Sequence, residues 1–137
     1  VKKRAPVSQI MSSDVISVNL TQSLREVDTA IKDQHIRHVP VVSGDKVIGM
    51  LSKTDLQKIS FINTVEGDNL TSAMYDSLSI EQVMTKDLVT VKKDDTILDV
   101  ATILSSNEFH ALPVTDAGKL VGIVTTTDLV KYLIDQY

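Results

Sequence analysis

The sequence contains no cysteine, which removes disulfide frameworks, thiolate metal sites and cysteine nucleophiles from consideration. It has no tryptophan and only five other aromatics, Phe61, Phe109, Tyr75, Tyr132 and Tyr137. A core must therefore be mostly aliphatic, and platforms on which nucleic-acid bases stack are scarce. Positive charge is also in deficit, with 14 Lys and Arg against 18 Asp and Glu for a formal charge of -4. That balance disfavours a dedicated duplex nucleic-acid binder, which needs a broad cationic face, but leaves room for a local basic pocket. No apolar run reaches the roughly 18 residues that span a bilayer, and the basic start Val1-Lys2-Lys3-Arg4 leads into no signal-type apolar segment. A soluble, cytoplasmic protein without membrane association is expected. Ser-His-Asp order, a metal-ligand cluster and a glycine-rich phosphate loop are all missing, so no enzymatic activity is expected. His35 and His38 stand three apart but have no third ligand nearby.

What is present begins with bulk. The 137 residues are 42% hydrophobic and 23% charged, the range of a folded globular chain and outside the disordered classes. More informative is an internal repeat. Sliding the chain over itself by 73 positions places Met11 on Met84 and keeps register without a gap. In that register Val39-Pro40-Val41 falls on Leu112-Pro113-Val114, Lys46-Val47-Ile48-Gly49 on Lys119-Leu120-Val121-Gly122, and Thr54-Asp55-Leu56 on Thr127-Asp128-Leu129. The first copy spans 7–62, a connector 63–79, and the second copy 80–134. Each copy is marginal in size for a core of its own, so the two are expected to share one apolar interface in one compact module.

Each copy reads β-α-β-β-α, an α+β class. A short β-rich run, Val15–Val18 or Leu88–Val91, precedes a helix that opens with a capping-box spacing, Ser23 to Glu26 or Thr96 to Asp99. Leu24, Val27 and Ile31, and likewise Ile97, Val100 and Leu104, share one helical face, which is expected to be core. Two apolar strands follow, joined by Ser43-Gly44-Asp45 or Asp116-Ala117-Gly118, which read as tight hairpins. A second helix opens at Thr54-Asp55 or Thr127-Asp128. Within the connector, Gly67-Asp68-Asn69 signals a turn and Leu70–Leu78 a short helix, with Ser79-Ile80-Glu81-Gln82 another capping box.

The chemistry-bearing feature is Gly49-Met50-Leu51-Ser52-Lys53-Thr54-Asp55 and its echo Gly122-Ile123-Val124-Thr125-Thr126-Thr127-Asp128. A buried strand runs into hydroxyls and an acid where a helix begins. The first backbone N–H groups of that helix lack internal partners, so amides and hydroxyls can converge on a phosphate. The Asp repels phosphate but accepts hydrogen bonds from a ribose diol. The same spacing also describes a plain helix cap, with Ser52 and Thr125 at the N-cap and Asp55 and Asp128 three residues on.

Met-Ser/Thr, an apolar run, Leu/Val-Pro-Val and Gly-apolar-apolar-Ser/Thr-x-x-Asp, present twice in order, resemble a tandem cystathionine-β-synthase (CBS) domain pair, or Bateman module, over residues 7 to 134. The resemblance implies two repeats packed about a pseudo-twofold axis, with related clefts for adenosine-containing ligands such as AMP, ADP, ATP, S-adenosylmethionine or NAD. It implies a regulatory sensor acting on an unidentified partner protein, commonly as a homodimer. Carried over residue by residue, it assigns ribose binding to Asp55 and Asp128. It assigns phosphate or hydroxyl contacts to Ser52, Lys53, Thr54, Thr125, Thr127, Arg37, His38 and His110, and nucleoside contacts to Ser12, Ile16, Thr85 and Val89. Arg37, His38 and Lys53 in the first copy correspond to His110, Ala111 and Thr126 in the second, so one site is expected to favour a more highly phosphorylated ligand. The competing reading is a scaffolding module whose polar motifs are helix caps alone.

Overall fold

The computed structural model describes residues 4–63 and 75–137. In chain order its elements are a single 3-10 turn Val7–Gln9, α1 (Leu24–Gln34), β1 (His38–Ser43), β2 (Lys46–Ser52), α2 (Lys53–Asn63), α3 (Ile80–Val83), β3 (Val91–Lys92), α4 (Ile97–Ser105), β4 (Ala111–Asp116), β5 (Lys119–Thr125) and α5 (Thr126–Asp135). The fold is mixed α+β and divides into two compact units, Ile16–Leu88 and Val1–Val15 with Val89–Tyr137. The turn over Gly67-Asp68-Asn69 and most of the helix expected over Leu70–Leu78 lie outside the described residues. No helix among those described is long and apolar enough to cross a membrane.

Both hairpins form where the turn residues place them. β1 and β2 pair antiparallel with Ser43 opposite Lys46, and β4 and β5 with Asp116 opposite Lys119, leaving two-residue loops. Gly44 has φ 62°, and Ala117 and Gly118 have φ 52° and 83°. Left-handed backbone is open to glycine but costs an alanine roughly 1–2 kcal/mol. Ala117→Gly is therefore expected to stabilise the protein by about 1 kcal/mol, read as a rise in the midpoint of thermal or urea unfolding. Both hairpins also carry the same bulge: Val41 and Val42 face Gly49 and Val47, and Val114 and Thr115 face Gly122 and Leu120. One extra residue on the second strand of each pair, Ile48 or Val121, bends the ladder just before the polar junction.

The helices start at their caps. Thr96 and Asp99 close a reciprocal box: Thr96 N–H donates to Asp99 Oδ2 (3.0 Å) and Asp99 N–H to Thr96 Oγ1 (3.0 Å). The bond from the Thr96 backbone holds the Asp99 carboxyl below its usual range. Ser79 and Gln82 form the same box. At Ser23 the box is half made. Its Oγ accepts from Glu26 N–H, but the Glu26 carboxylate takes the side-chain amide of Gln22 one turn back instead. The competing amide of Gln22, not side-chain length, leaves this box open, since Gln82 closes its own.

The first strand of each copy is shorter than its composition suggests. Val15–Val18 contributes a single parallel bridge, Val18 to Val41, and Leu88–Val91 contributes only the start of β3. Proline explains the truncation. Val18 N–H donates to Pro40 carbonyl (3.0 Å) and Val42 N–H to Val18 carbonyl (2.8 Å). The next bond back, to the carbonyl of Ile16, would need an N–H that Pro40 lacks. Pro113 holds the equivalent place opposite β3, so Ile16 and Val89 stand just beyond the paired ladder in their units.

Two aliphatic cores result. In the Ile16–Leu88 unit, Leu24, Val27 and Ile31 of α1 pack with Val39, Val41 and Leu51 of the sheet and with Leu56, Tyr75 and Ile80. In the other, Val100 and Leu104 of α4 pack with Leu112, Val114 and Val124, and with Val7. Full burial of each such aliphatic side chain is worth about 1.5–3 kcal/mol. Val7, at the head of the first copy, therefore belongs to the core of the second. Conversely Ile80, Val83 and Met84, at the head of the second copy, pack on the first. The apolar segment ahead of each repeat is exchanged.

Candidate ligand-binding sites

In each unit the end of a hairpin and the start of a helix converge. In the Ile16–Leu88 unit His38 stands opposite Ser52 at the open end of the hairpin, and the carbonyl of Arg37 accepts from Lys53 N–H (2.8 Å). In the other unit Ala111 stands opposite Thr125, and the carbonyl of His110 accepts from Thr126 N–H (2.9 Å). Arg37, His38, Ser52 and Lys53 are thereby drawn to one point, as are His110, Thr125 and Thr126 to the other. Arg37, Lys53, Thr54, His110 and Thr127 are exposed, while His38, Ser52, Asp55, Thr125 and Asp128 are partly buried.

The hydroxyl and acid of each motif are bonded to one another's backbone. Ser52 N–H donates to Asp55 Oδ2 (2.9 Å) and Asp55 N–H to Ser52 Oγ (3.1 Å). Thr125 N–H donates to Asp128 Oδ2 (2.8 Å), Asp128 N–H to Thr125 Oγ1 (3.3 Å), and the Thr125 hydroxyl also reaches Oδ2 (3.1 Å). The capping arrangement that the spacing allowed is realised in both copies. It consumes one carboxylate oxygen. Among the described residues, Oδ1 of Asp55 and Oδ1 of Asp128 accept no hydrogen bond, so each carboxylate is fixed in place by its cap and retains an oxygen to offer.

Ser12 and Thr85 are the residues whose surroundings the sequence did not reveal. Thr85 exchanges both backbone bonds with Met50 (3.1 and 2.9 Å), two residues ahead of Ser52. Ser12 exchanges both with Ile123 (2.9 and 3.0 Å), two residues ahead of Thr125. Each thus joins the strand of the other copy, with Thr85 in the unit of Asp55 and Ser12 in the unit of Asp128. Ile16 shares the unit of Asp55, and Val89 that of Asp128. Sequence reasoning named Gly49 and Gly122 as the start of each motif but gave them no packing role. The side chain of Met84 lies over Gly49 and that of Met11 over Gly122, each in space that a Cβ would enter. A glycine after the bulge, and a methionine directly before Thr85 or Ser12, was the available signal.

With this geometry the family assignment follows. The sequence model of the CBS domain matches residues 7–61 and 80–135, two copies that together cover most of the chain. The chain belongs to the CBS-domain family. Among relatives, protein MJ1225 of Methanocaldococcus jannaschii is 28% identical over 131 residues, which is 92% of this chain and 46% of that protein. Its crystal structure superposes with a TM-score of 0.81 at 27% identity, covering 97% of this chain and 49% of the other. The CBS domain pair of protein MJ0100, solved with 5′-methylthioadenosine and S-adenosylmethionine, has a TM-score of 0.80 at 24% identity and covers 97% of this chain and 98% of that one. CBSX2, solved with AMP, has a TM-score of 0.79 at 22% identity, covering 96% and 98%. This chain spans under half the length of the first curated relatives it matches, 46% of MJ1225 and 39% of MJ1232. Of these neighbours in structure, the MJ0100 pair and CBSX2 were solved with adenosine compounds.

Proposed function

We propose that this CBS pair is a ligand sensor that takes an adenosine-containing small molecule at the Ser52–Asp55 and Thr125–Asp128 motifs and passes its occupancy to a partner protein or to a second copy of the chain. The observation that carries this reading is the free Oδ1 on each immobilised carboxylate, beside helix N–H groups and hydroxyls that suit a sugar and a phosphate. AMP, ADP, ATP, S-adenosylmethionine and NAD all present that pair of groups or part of it. Ser52, Thr54, Thr125 and Thr127 would meet phosphate or hydroxyl groups. Ser12, Ile16, Thr85 and Val89 would face the nucleoside. Linkage limits any regulatory effect to the ligand's difference in affinity between two states of the protein. Self-association is supported by α5, whose Val130, Leu133 and Ile134 lie at helical spacing and are at least half exposed.

The test is titration calorimetry with AMP and 5′-methylthioadenosine on the intact chain and on Asp55→Ala, Asp128→Ala and the double variant. Losing a hydrogen bond to a charged acceptor, about 1.5–3 kcal/mol, should weaken each site roughly ten- to a hundredfold. Because alanine also breaks the cap, worth about 1 kcal/mol of stability, Asn variants that keep an acceptor at Oδ separate lost folding from lost binding. Unchanged binding in the double variant would reject the assignment. The complete capping boxes favour one second reading, a scaffold whose motifs serve its own helices. Under that reading neither compound raises the melting temperature, whereas a ligand selective for the folded state must.

A further inference from the structure

The two motifs differ in charge in a way that the segment exchange concentrates. At the two motifs and the two bridges the acids are the same in both units. Asp55 corresponds to Asp128, and Asp87, two residues after the Thr85 bridge, corresponds to Asp14, two after the Ser12 bridge. The cations are not. Arg37 is matched by His110, Lys53 by Thr126, and Lys86 by Ser13. Had each Met-Ser/Thr segment paired within its own copy, Lys86 would have joined the motif of Asp128 and narrowed the difference to two cations against one. The Thr85–Met50 pairing puts it instead in the unit that already holds Arg37 and Lys53. None of the three is committed elsewhere. Ion pairs join Arg25 with Asp76, Lys32 with Asp28 and Lys93 with Asp116, and among the described residues none involves Arg37, Lys53 or Lys86.

We infer that the two sites divide ligands by charge: the Asp55 site selects the phosphate-bearing adenosine compound, and the Asp128 site accepts the uncharged or cationic one. This rests on the proposed function above and deepens it. A guanidinium and an ammonium set at one helix start by the Lys53 N–H to Arg37 carbonyl bond can share a phosphate, where His110 and Thr126 offer a hydroxyl and an imidazole. With these two acids matched, the Asp128 motif offers helix N–H groups, hydroxyls and the His110 imidazole but no guanidinium or ammonium to compensate a dianionic group. Because the Arg37–Lys53 bond runs backbone to backbone, truncating both side chains leaves the local fold in place.

The experiment titrates AMP and 5′-methylthioadenosine into the intact chain, the Arg37→Ala/Lys53→Ala variant and the reciprocal His110→Arg/Thr126→Lys variant, at low and moderate salt. AMP affinity at one site should fall about ten- to a hundredfold in the first variant, while methylthioadenosine is unaffected. The second variant should gain a further AMP site. The AMP step in the intact chain should weaken with salt and the methylthioadenosine step should not. If both compounds bind but AMP is indifferent to both variants, the division by charge is overturned and the sensor reading stands. If neither compound binds the intact chain, both fall together.

Discussion

Val7→Asp should abolish cooperative folding of the unit built on the second repeat, although Val7 lies at the head of the first. Val7 is fully buried, 0% exposed, in the cluster of Val91, Val100, Leu112, Val114 and Val124. Its backbone is held there too, with Val7 N–H donating to Asp95 carbonyl (2.8 Å) and Ile97 N–H to Ala5 carbonyl (2.9 Å). A carboxylate at this position has no cation in the cluster to meet it, and it must either be buried charged or take up a proton. A cost of about 4–5 kcal/mol or more places it among the most damaging single substitutions and near the whole stability of a small unit. Amide hydrogen exchange locates the damage. Protection should vanish across β4 and β5 (residues 111–125) while β1 and β2 (38–52) keep theirs. Loss confined to β1 and β2 would mean that Val7 supports its own repeat, and the exchange of segments would be wrong. Val7→Ala, expected to cost about 1.5–3 kcal/mol, keeps the test readable if the Asp variant does not express.

How much of this was legible before the structure depends on what kind of information each feature needs. The repeat, the hairpins, the caps and the core faces are local, written in the spacing of Gly44, Ala117-Gly118, Thr96-Asp99 or Leu24-Val27-Ile31, and each forms where it was read, save that the Ser23–Glu26 box is half made. The short first strands were also encoded locally, in Pro40 and Pro113, but the missing N–H acts on a neighbouring strand and so is invisible to composition. The partners of Met11-Ser12 and Met84-Thr85 could not be read at all. Because the copies match in register, each segment finds the same Gly, the same bulge and the same strand in either repeat, and sequence assigns no energy difference between pairing within a copy and across copies. Chain geometry decides, and it decides which cations stand near which acid. The motifs at Ser52–Asp55 and Thr125–Asp128 were recognised for their residue types; that capping and an available oxygen coexist on one carboxylate became apparent only from the distances.

The same exchange fixes the second large effect, at Gly122. A Cβ added there would stand 2.5 Å from the Sδ of Met11 and 3.0 Å from both its Cγ and the carbonyl oxygen of Ser12. At Gly49 the three nearest atoms all belong to one flexible side chain, Met84, with Sδ nearest and Cγ at 2.9 Å. A thioether can swing aside; the Ser12 carbonyl is held by Ile123 N–H (3.0 Å) and gives the few tenths of an ångström required only by straining that bond. Overpacking of this kind costs about 1–3 kcal/mol, so Gly122→Ala should lie at the upper end and Gly49→Ala at the lower. The rescue pattern separates the causes. Met84→Ala should restore most of what Gly49→Ala loses, giving a coupling of about 1 kcal/mol in a double-mutant cycle. Met11→Ala should restore Gly122→Ala only in part, because the backbone clash remains. Since Ser12 adjoins the Asp128 motif, Gly122→Ala should also weaken 5′-methylthioadenosine more than AMP, whereas Gly49→Ala, acting beside Thr85, should do the reverse. Equal costs at the two glycines, or full rescue by Met11→Ala, would show that the Ser12 strand yields freely and that its place beside Asp128 is not enforced by packing.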